Sequence, residues 1–180
     1  MDLSLTVLIP IRDEEENIKI ISNEILNNIE CKNFELLFVN DFSQDASEDE
    51  LKKLTDKFPQ IRYVNNDKKG LGGAMSAGIH NSAGKFICIM MSDSSDTVED
   101  LNKYYEVINS DDLDAVFGSR FIKGGKVVEY PKLKYILNRL GNLLAKFLLW
   151  TDLNDFTNAF KIYKKDTLLG LYPLISEDFN

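Results

Sequence analysis

Apolar and polar positions along this chain follow two periods in turn. Short apolar runs occur at Leu5-Thr-Val-Leu-Ile-Pro10, Phe34-Glu-Leu-Leu-Phe-Val-Asn40, Ile61-Arg-Tyr-Val-Asn65, Phe86-Ile-Cys-Ile-Met-Met91 and Asp114-Ala-Val-Phe-Gly118. They are strand-length, and the runs at 5–10, 34–40 and 86–91 are apolar enough to predict strands buried on both faces. Between them the spacing turns helical. Asp13-Glu-Glu-Glu-Asn17 leads into Ile18, Ile21, Ile25, Leu26 and Ile29, with the acids suited to a helix N-terminus. Ser43 or Asp45 is placed to cap a helix over Ala46–Lys57. Further helices are expected from Gly70 to about Ser82, over Val98–Asn109 and over 132–150, then a strand at Ala159–Tyr163 and a short helix at Lys165–Leu171. Strands alternating with helices predict βαβ units, an α/β fold and a mainly parallel central sheet flanked by helices.

The strand at Phe86 ends in Ser92-Asp-Ser-Ser-Asp-Thr97. Carboxylates at the C-terminal end of a central strand lie where open α/β sheets bind ligands. Arg12–Glu14 and Asn40–Asp45 follow two other strand ends, so three polar clusters should meet on one edge of the sheet. That arrangement suits a nucleotide-phosphate site.

Composition narrows the class. The chain has 180 residues, enough for one domain over 1–180. A net charge of −8 argues against nucleic acid as a partner. Cys31 and Cys88 read as buried apolar residues in a reducing, cytoplasmic setting. There is no signal-peptide pattern at the N-terminus and no run of 18 uncharged apolar residues, so no membrane-spanning helix is expected. Lys132, Lys134, Arg139 and Lys146 flank an apolar stripe of Leu133, Ile136, Leu137, Leu140, Leu143, Leu144, Phe147 and Leu148, with no acid from Pro131 to Trp150. Such a helix either packs on the sheet with its basic face solvated, the preferred expectation, or lies on an anionic membrane surface at the cytoplasmic face. Trp150 is expected in the core or an interface, and His80 is given no role. The sequence sets no oligomeric state.

Five motifs appear in order: Pro10-Ile-Arg-Asp-Glu14, Val39-Asn-Asp-Phe-Ser-Gln-Asp45, Gly70-Leu-Gly-Gly-Ala74, Met91-Ser-Asp-Ser-Ser95, and Gly118-Ser-Arg-Phe121 with Gly124-Gly125. They resemble the Pro-x-x-Asn-Glu, Val-Asp-Asp-Gly-Ser-x-Asp, Gly-x-Gly-Gly-Ala, Asp-x-Asp and Gly-Ser-Arg-Tyr…Gly-Gly patterns of family 2 glycosyltransferases of the GT-A fold, in the dolichyl-phosphate mannose synthase-like branch. Asp155-Phe-Thr-Asn-Ala-Phe-Lys161 resembles that family's Asp-x-Thr-Ser-Gly-Phe-Arg. The resemblance runs from about Leu5 to Asn180, and the chain stops where such proteins usually continue, so it reads as truncated at its C-terminus. A dinucleotide fingerprint fails at Met75, where a third glycine is required, and no Gly-Lys-Ser/Thr follows a glycine loop.

The resemblance implies a Rossmann-like sheet and an inverting, metal-dependent hexosyltransferase. Its donor would be a nucleotide sugar such as GDP-mannose or UDP-glucose, and its acceptor a lipid phosphate such as a polyprenyl phosphate. Pro10, Arg12, Glu14, Asn40 and Asp41 would line the nucleoside, with Lys69, Gly70, Ser92 and Asp93 toward the phosphates. Asp93 would be the principal ligand of Mg²⁺ or Mn²⁺, assisted by Ser95 or Asp96, because Met91 stands where the first Asp of the pattern is expected and a thioether is a poor ligand for hard cations. Asp93, Arg120 and Asp155 would be the catalytic residues, Arg120 gripping phosphate and Asp155 binding sugar hydroxyls or placing the acceptor. Lys123 and Lys126, beside the Gly124-Gly125 hinge, would face phosphate from a loop. The alternative is a degenerate module that binds a sugar nucleotide without turnover, suggested by Met91 and Asn40.

Overall fold

The computed structural model describes residues 3–122 and 132–171. The loop expected at Lys123–Lys126 lies outside the described residues. The chain divides into two compact units, one of Met1–Val116 with Phe160–Asn180 and one of Phe117–Ala159. The element order is β1 (Leu5–Ile11), α1 (Glu15–Asn28), β2 (Phe34–Asn40), α2 (Ser47–Lys57), β3 (Ile61–Asn65), α3 (Leu71–Asn81), β4 (Phe86–Ile89), α4 (Val98–Ser110), β5 (Ala115–Phe117), α5 (Lys132–Leu148), β6 (Lys161–Lys164) and α6 (Lys165–Gly170).

The sheet runs β3-β2-β1-β4-β6-β5. β1 pairs in parallel with both β2 and β4, β2 with β3, and β6 is antiparallel to β4. The mainly parallel sheet expected from the alternation is therefore present. Every residue of β1 is buried, as its unbroken apolar run predicts. Val7, Ile9, Leu36, Phe38 and Cys88 join α1, α2 and α4 in the larger core, whereas Leu8 and Ile87 face Ile79 of α3 and Leu168 of α6. Alternate positions thus serve opposite faces of the sheet. Burial, reinforced by the charge of Asp96, pushes the Cys88 thiol well above its usual range, so this cysteine is a packing residue.

Proline in a central strand requires an explanation, since it has no N–H for the ladder. β1 pairs with β4 only from Leu5 to Leu8, while its pairing with β2 continues through Ile11. Pro10 therefore lies where β4 no longer runs beside β1. This also shortens β4 against expectation. The strand ends at Ile89, Met90 still donates to the Leu8 carbonyl at 3.0 Å, and the Met91 N–H turns to Asp96 Oδ2 at 3.2 Å. The two strands part here, where the strand order reverses and α/β sheets open a crevice.

At the other end of the sheet Glu35 is buried and holds three partners: Thr6 Oγ1 donates at 2.7 Å, Arg62 Nη1 at 2.6 Å and the Ala83 N–H at 2.6 Å. A carboxylate satisfied in this way is structural, locking the turn before β4 onto β1 and β2.

Candidate functional site

A cleft of about 410 Å³ opens where β1 and β4 part. Pro10, Ile11, Arg12 and Glu14 line it from β1, Asp41 from β2, Lys69, Gly70, Leu71 and Ala74 from the turn into α3, and Met91 and Ser92 from the end of β4. Four strand-end motifs thus contribute to one wall. Arg12 and Lys69 form no ion pair with a described residue. The cleft combines apolar walls, two cations and carboxylates, which suits a ligand with a flat apolar part and an anionic tail.

The loops after β1 and β2 brace each other. Asp13 N–H donates to Ser43 Oγ at 3.1 Å, Glu14 N–H to Ser47 Oγ at 2.9 Å and Glu15 N–H to Asp45 Oδ2 at 3.1 Å. In return Gln44 N–H donates to Asp13 Oδ1 at 2.6 Å and Ala46 N–H to Glu15 Oε2 at 2.8 Å. Each loop satisfies N–H groups at the entry to the other's helix. Ser43 therefore does not cap α2: its hydroxyl serves the β1 loop, and the N-cap of α2 is Ala46, without a side-chain bond. Asp45 does meet the Ser47 N–H at 3.0 Å. Burial by itself raises its pKa, but hydrogen bonds from Ser47 and Glu15 bring it below the usual value.

Asp41 is buried and fastens the glycine turn. It accepts from the Gly70 N–H at 2.9 Å and 3.2 Å and from Asn66 Nδ2 at 2.7 Å. Gly70 has φ 113°, a conformation that favours glycine, and a Cβ on Gly73 would lie 1.8 Å from the Lys68 carbonyl oxygen. The turn is accordingly a tight entry into α3 that places Lys69, Gly70 and Leu71 on the cleft. Asn40, expected at the nucleoside, has its amide engaged within the chain. Its Nδ2 donates to Asn65 Oδ1 at 2.9 Å, its Oδ1 accepts the Ser43 N–H at 3.2 Å, and it is not part of the cleft lining.

At the end of β4, Ser92 is buried against the cleft and Asp93 is exposed, with Oδ1 accepting the Ser95 N–H at 3.0 Å. Thr97 caps α4 by accepting from the Asp100 N–H at 3.2 Å, so neither Asp93 nor Asp96 has that task. Among the described residues no three His, Cys, Asp or Glu side chains gather into a cation cage. The oxygen donors of Asp93 and Ser95 still suit a hard cation, because Mg²⁺ characteristically takes one or two carboxylates together with substrate phosphates and water.

A second polar centre lies wholly within Phe117–Ala159. Asp155, whose side chain is fully buried, receives Arg120 Nε at 2.8 Å, Arg120 Nη2 at 2.8 Å and the Arg120 N–H at 3.1 Å. Burial alone raises the Asp155 pKa, but these bonds, the Arg120 charge and Thr157 hold it below the usual carboxylate value. The guanidinium groups of Arg120 and Arg139 lie 5.5 Å and 4.6 Å from the centre of the Phe121 ring, with Tyr135 edge-on at 5.9 Å. Thr157 accepts from Arg120 Nη2 at 2.9 Å and from Asn138 Nδ2 at 3.0 Å, and Asn142 Oδ1 accepts the Phe156 N–H at 2.6 Å. Asn142 and Thr157 were not among the residues singled out from sequence. The sequence signals are, for Asn142, an amide one turn after Asn138 in an otherwise apolar and basic helix and, for Thr157, its place in the motif that begins at Asp155.

α5 departs from the expectation of a buried apolar stripe. Its eight stripe residues are all exposed, from 54% at Ile136 to 79% at Phe147. Trp150 is 96% exposed, so it belongs to no core. Among the described residues no helix is long and apolar enough to cross a membrane.

Residues 6–169 match the family model for glycosyl transferase family 2. A dolichol-phosphate mannosyltransferase of Pyrococcus furiosus is 26% identical over 94% of this chain and 48% of its own length. An undecaprenyl-phosphate mannosyltransferase of Micrococcus luteus is 30% identical over 76% of this chain and 57% of its own length. The chain thus spans about half the length of these relatives. Among solved structures, a Pyrobaculum calidifontis mannosyltransferase in complex with GDP-Man and Mn²⁺ superposes with a TM-score of 0.65 at 15% identity, over 96% of this chain and 47% of that one.

Proposed function

The chain belongs to glycosyl transferase family 2, and from that premise we propose that it is an inverting hexosyltransferase acting from a nucleotide sugar onto a polyprenyl phosphate. The observation that carries this is the cleft at the parting of β1 and β4, where Arg12, Glu14, Asp41, Lys69 and Ser92 meet. Pro10, Ile11 and Leu71 offer a surface for a base. Glu14 and Asp41 are acceptors for ribose hydroxyls or a base N–H. Lys69 and Arg12 face the diphosphate. The mannose-transferring relatives favour mannose as the transferred sugar, and solved structures of the same fold hold both GDP-Man and UDP-Glc.

A divalent cation, Mn²⁺ or Mg²⁺, would be held by Asp93 with Ser95 or Asp96 and would neutralise charge on the leaving diphosphate. The rest falls to the chain's own groups. An acceptor phosphate oxygen attacks the anomeric carbon as the bond from that carbon to the diphosphate oxygen breaks, its electron pair leaving with the diphosphate. The acceptor is already an anion, so no strong base is required. Arg120 is the candidate phosphate grip, and Asp155 the anion that orients its fork.

A thermal-shift screen of nucleoside diphosphates and their sugars, with and without Mn²⁺, tests this reading. One nucleotide should raise the melting temperature by several degrees, more with Mn²⁺, as binding to the native state requires. A nucleotide-stabilised chain that transfers no sugar would favour the degenerate module suggested by Met91 and Asn40, and no shift with any nucleotide would remove both.

The lipid acceptor brings α5 into the account. Its exposed apolar stripe carries Arg139 and Lys146 and no acid, in a chain of net charge −8. Each basic residue near an anionic bilayer contributes about 1 kcal/mol, and partial burial of the leucines adds to it. The chain should therefore cosediment with vesicles containing phosphatidylserine and much less with neutral ones, and Leu140→Glu with Phe147→Glu should abolish this. Equal recovery with both vesicle types would remove the basic residues from the binding, and full binding by the double variant would remove α5 from the membrane.

A further inference from the structure

Phe42 departs from its motif in a way the nucleotide cleft does not yet account for. It occupies the glycine position of the Val-Asp-Asp-Gly-Ser-x-Asp pattern, and its backbone takes the left-handed conformation that glycine would adopt freely, with φ 59°. A bulky aromatic residue is a genuine outlier there, and such strain persists only where the surroundings over-determine it. The surroundings do so here. Asp41 on one side is tied to the Gly70 N–H, and on the other the Ser43 N–H meets Asn40 and the Gln44 N–H meets Asp13. The side chain receives no matching compensation within the chain. It is 42% exposed and makes no ring contact with a described residue.

Its position is informative. The cleft lining ends at Asp41, the residue before Phe42. Leu71, also 42% exposed, opens α3 next to Gly70, which is bonded to Asp41, so two exposed apolar residues flank one hydrogen-bonded link in the chain. The lining itself contains no aromatic residue. We propose that Phe42 is a stacking platform for the nucleobase of the donor: a ligand whose phosphates lie toward Lys69 and whose base passes Asp41 meets the Phe42 ring. This rests on the nucleotide reading of the cleft and adds to it the residue that holds the base.

The test is calorimetric titration of the 180-residue chain with UDP, GDP and inorganic pyrophosphate in the presence of Mn²⁺. Phe42→Gly and Phe42→Asn both tolerate left-handed backbone, so they should fold with melting temperatures within about 5 °C of the parent. Each should bind the preferred nucleotide about tenfold or more weakly, the range for loss of base–aromatic stacking, with unchanged pyrophosphate affinity. Phe42→Tyr should bind as the parent does. Nucleotide affinity equal to the parent's in Phe42→Gly overturns the platform and leaves the cleft reading standing. An equal loss of pyrophosphate affinity also overturns it, because the effect would not then be on the base. A parent chain that binds pyrophosphate but neither nucleotide removes the platform and the nucleotide reading together.

Discussion

Asp155→Ala should reduce glycosyl transfer by at least about 100-fold, equivalent to some 2.7 kcal/mol of lost transition-state stabilisation. It should also loosen the unit Phe117–Ala159. The carboxylate is fully buried and takes three N–H donors from Arg120, whose side chain is 27% exposed. Removing it takes all three of these bonds from Arg120, one of them from the guanidinium nitrogen that also donates to Thr157. Breaking a fully buried pair costs about 3–5 kcal/mol, and partial exposure of Arg120 brings the expectation to roughly 2–3. Hydrogen exchange in peptides from 117–159 should quicken accordingly. Asp155→Asn keeps the shape and one acceptor, and should fall between the parent and the alanine variant on both measures. The acid limb follows from the lowered pKa of Asp155. A carboxyl group whose folded pKa is depressed contributes stability above its unfolded value, near 4, and loses it as pH falls through the folded value. The parent should thus lose protection in this segment on acidification below about pH 4, and the alanine variant should lack that component. Unchanged exchange and an unchanged acid profile in Asp155→Ala would deny the pair any orienting role.

This pair also marks a boundary of what the chain discloses in one dimension. Arg120 and Asp155 each stood out through the motif they occupy, but their partnership spans 35 residues and no local pattern encodes it. The strands were legible because burial on both faces leaves a continuous apolar run, as in β1. The end of β4 was not, because it depends on Pro10 of a neighbouring strand and on a carboxylate that captures the Met91 N–H. Helical periodicity revealed that α5 has one apolar face. It did not reveal that this face would be exposed, since periodicity reports a face and not what covers it. Asn40 shows the same limit at a single residue. Its position at a strand end was evident, but Asn65 and Ser43 occupy its amide, and the cleft is lined by its neighbour Asp41. The Phe42 departure was visible as a letter in a motif, and its left-handed backbone only in three dimensions.

The other large effect is expected at Asp93. Asp93→Ala should eliminate the Mn²⁺-dependent part of nucleotide binding, a loss on the order of 100-fold in affinity or about 2.7 kcal/mol. One carboxylate oxygen closes a turn on the Ser95 N–H, and the side chain remains exposed at the end of β4 beside the cleft residue Ser92. Because no three acidic, histidine or cysteine side chains gather among the described residues, the site has little redundancy, and one carboxylate carries a large share of the protein's contribution. Binding without metal should persist in the variant, supported by Lys69 and Arg12 on the cleft wall. The reverse substitution sharpens the point. Met91 lines the cleft, and its backbone is held by Asp96 Oδ2, so Met91→Asp would add a carboxylate at a fixed place where a thioether now stands. Titration of Mn²⁺ in the presence of a nucleoside diphosphate should show roughly tenfold tighter metal binding for that variant, because hard cations favour carboxylate oxygen over thioether sulfur. Melting temperatures recorded with nucleotide, with Mn²⁺ and with both separate the two effects. If Asp93→Ala retains the full additional shift given by Mn²⁺, the cation is held elsewhere and the end of β4 is only a wall of the cleft.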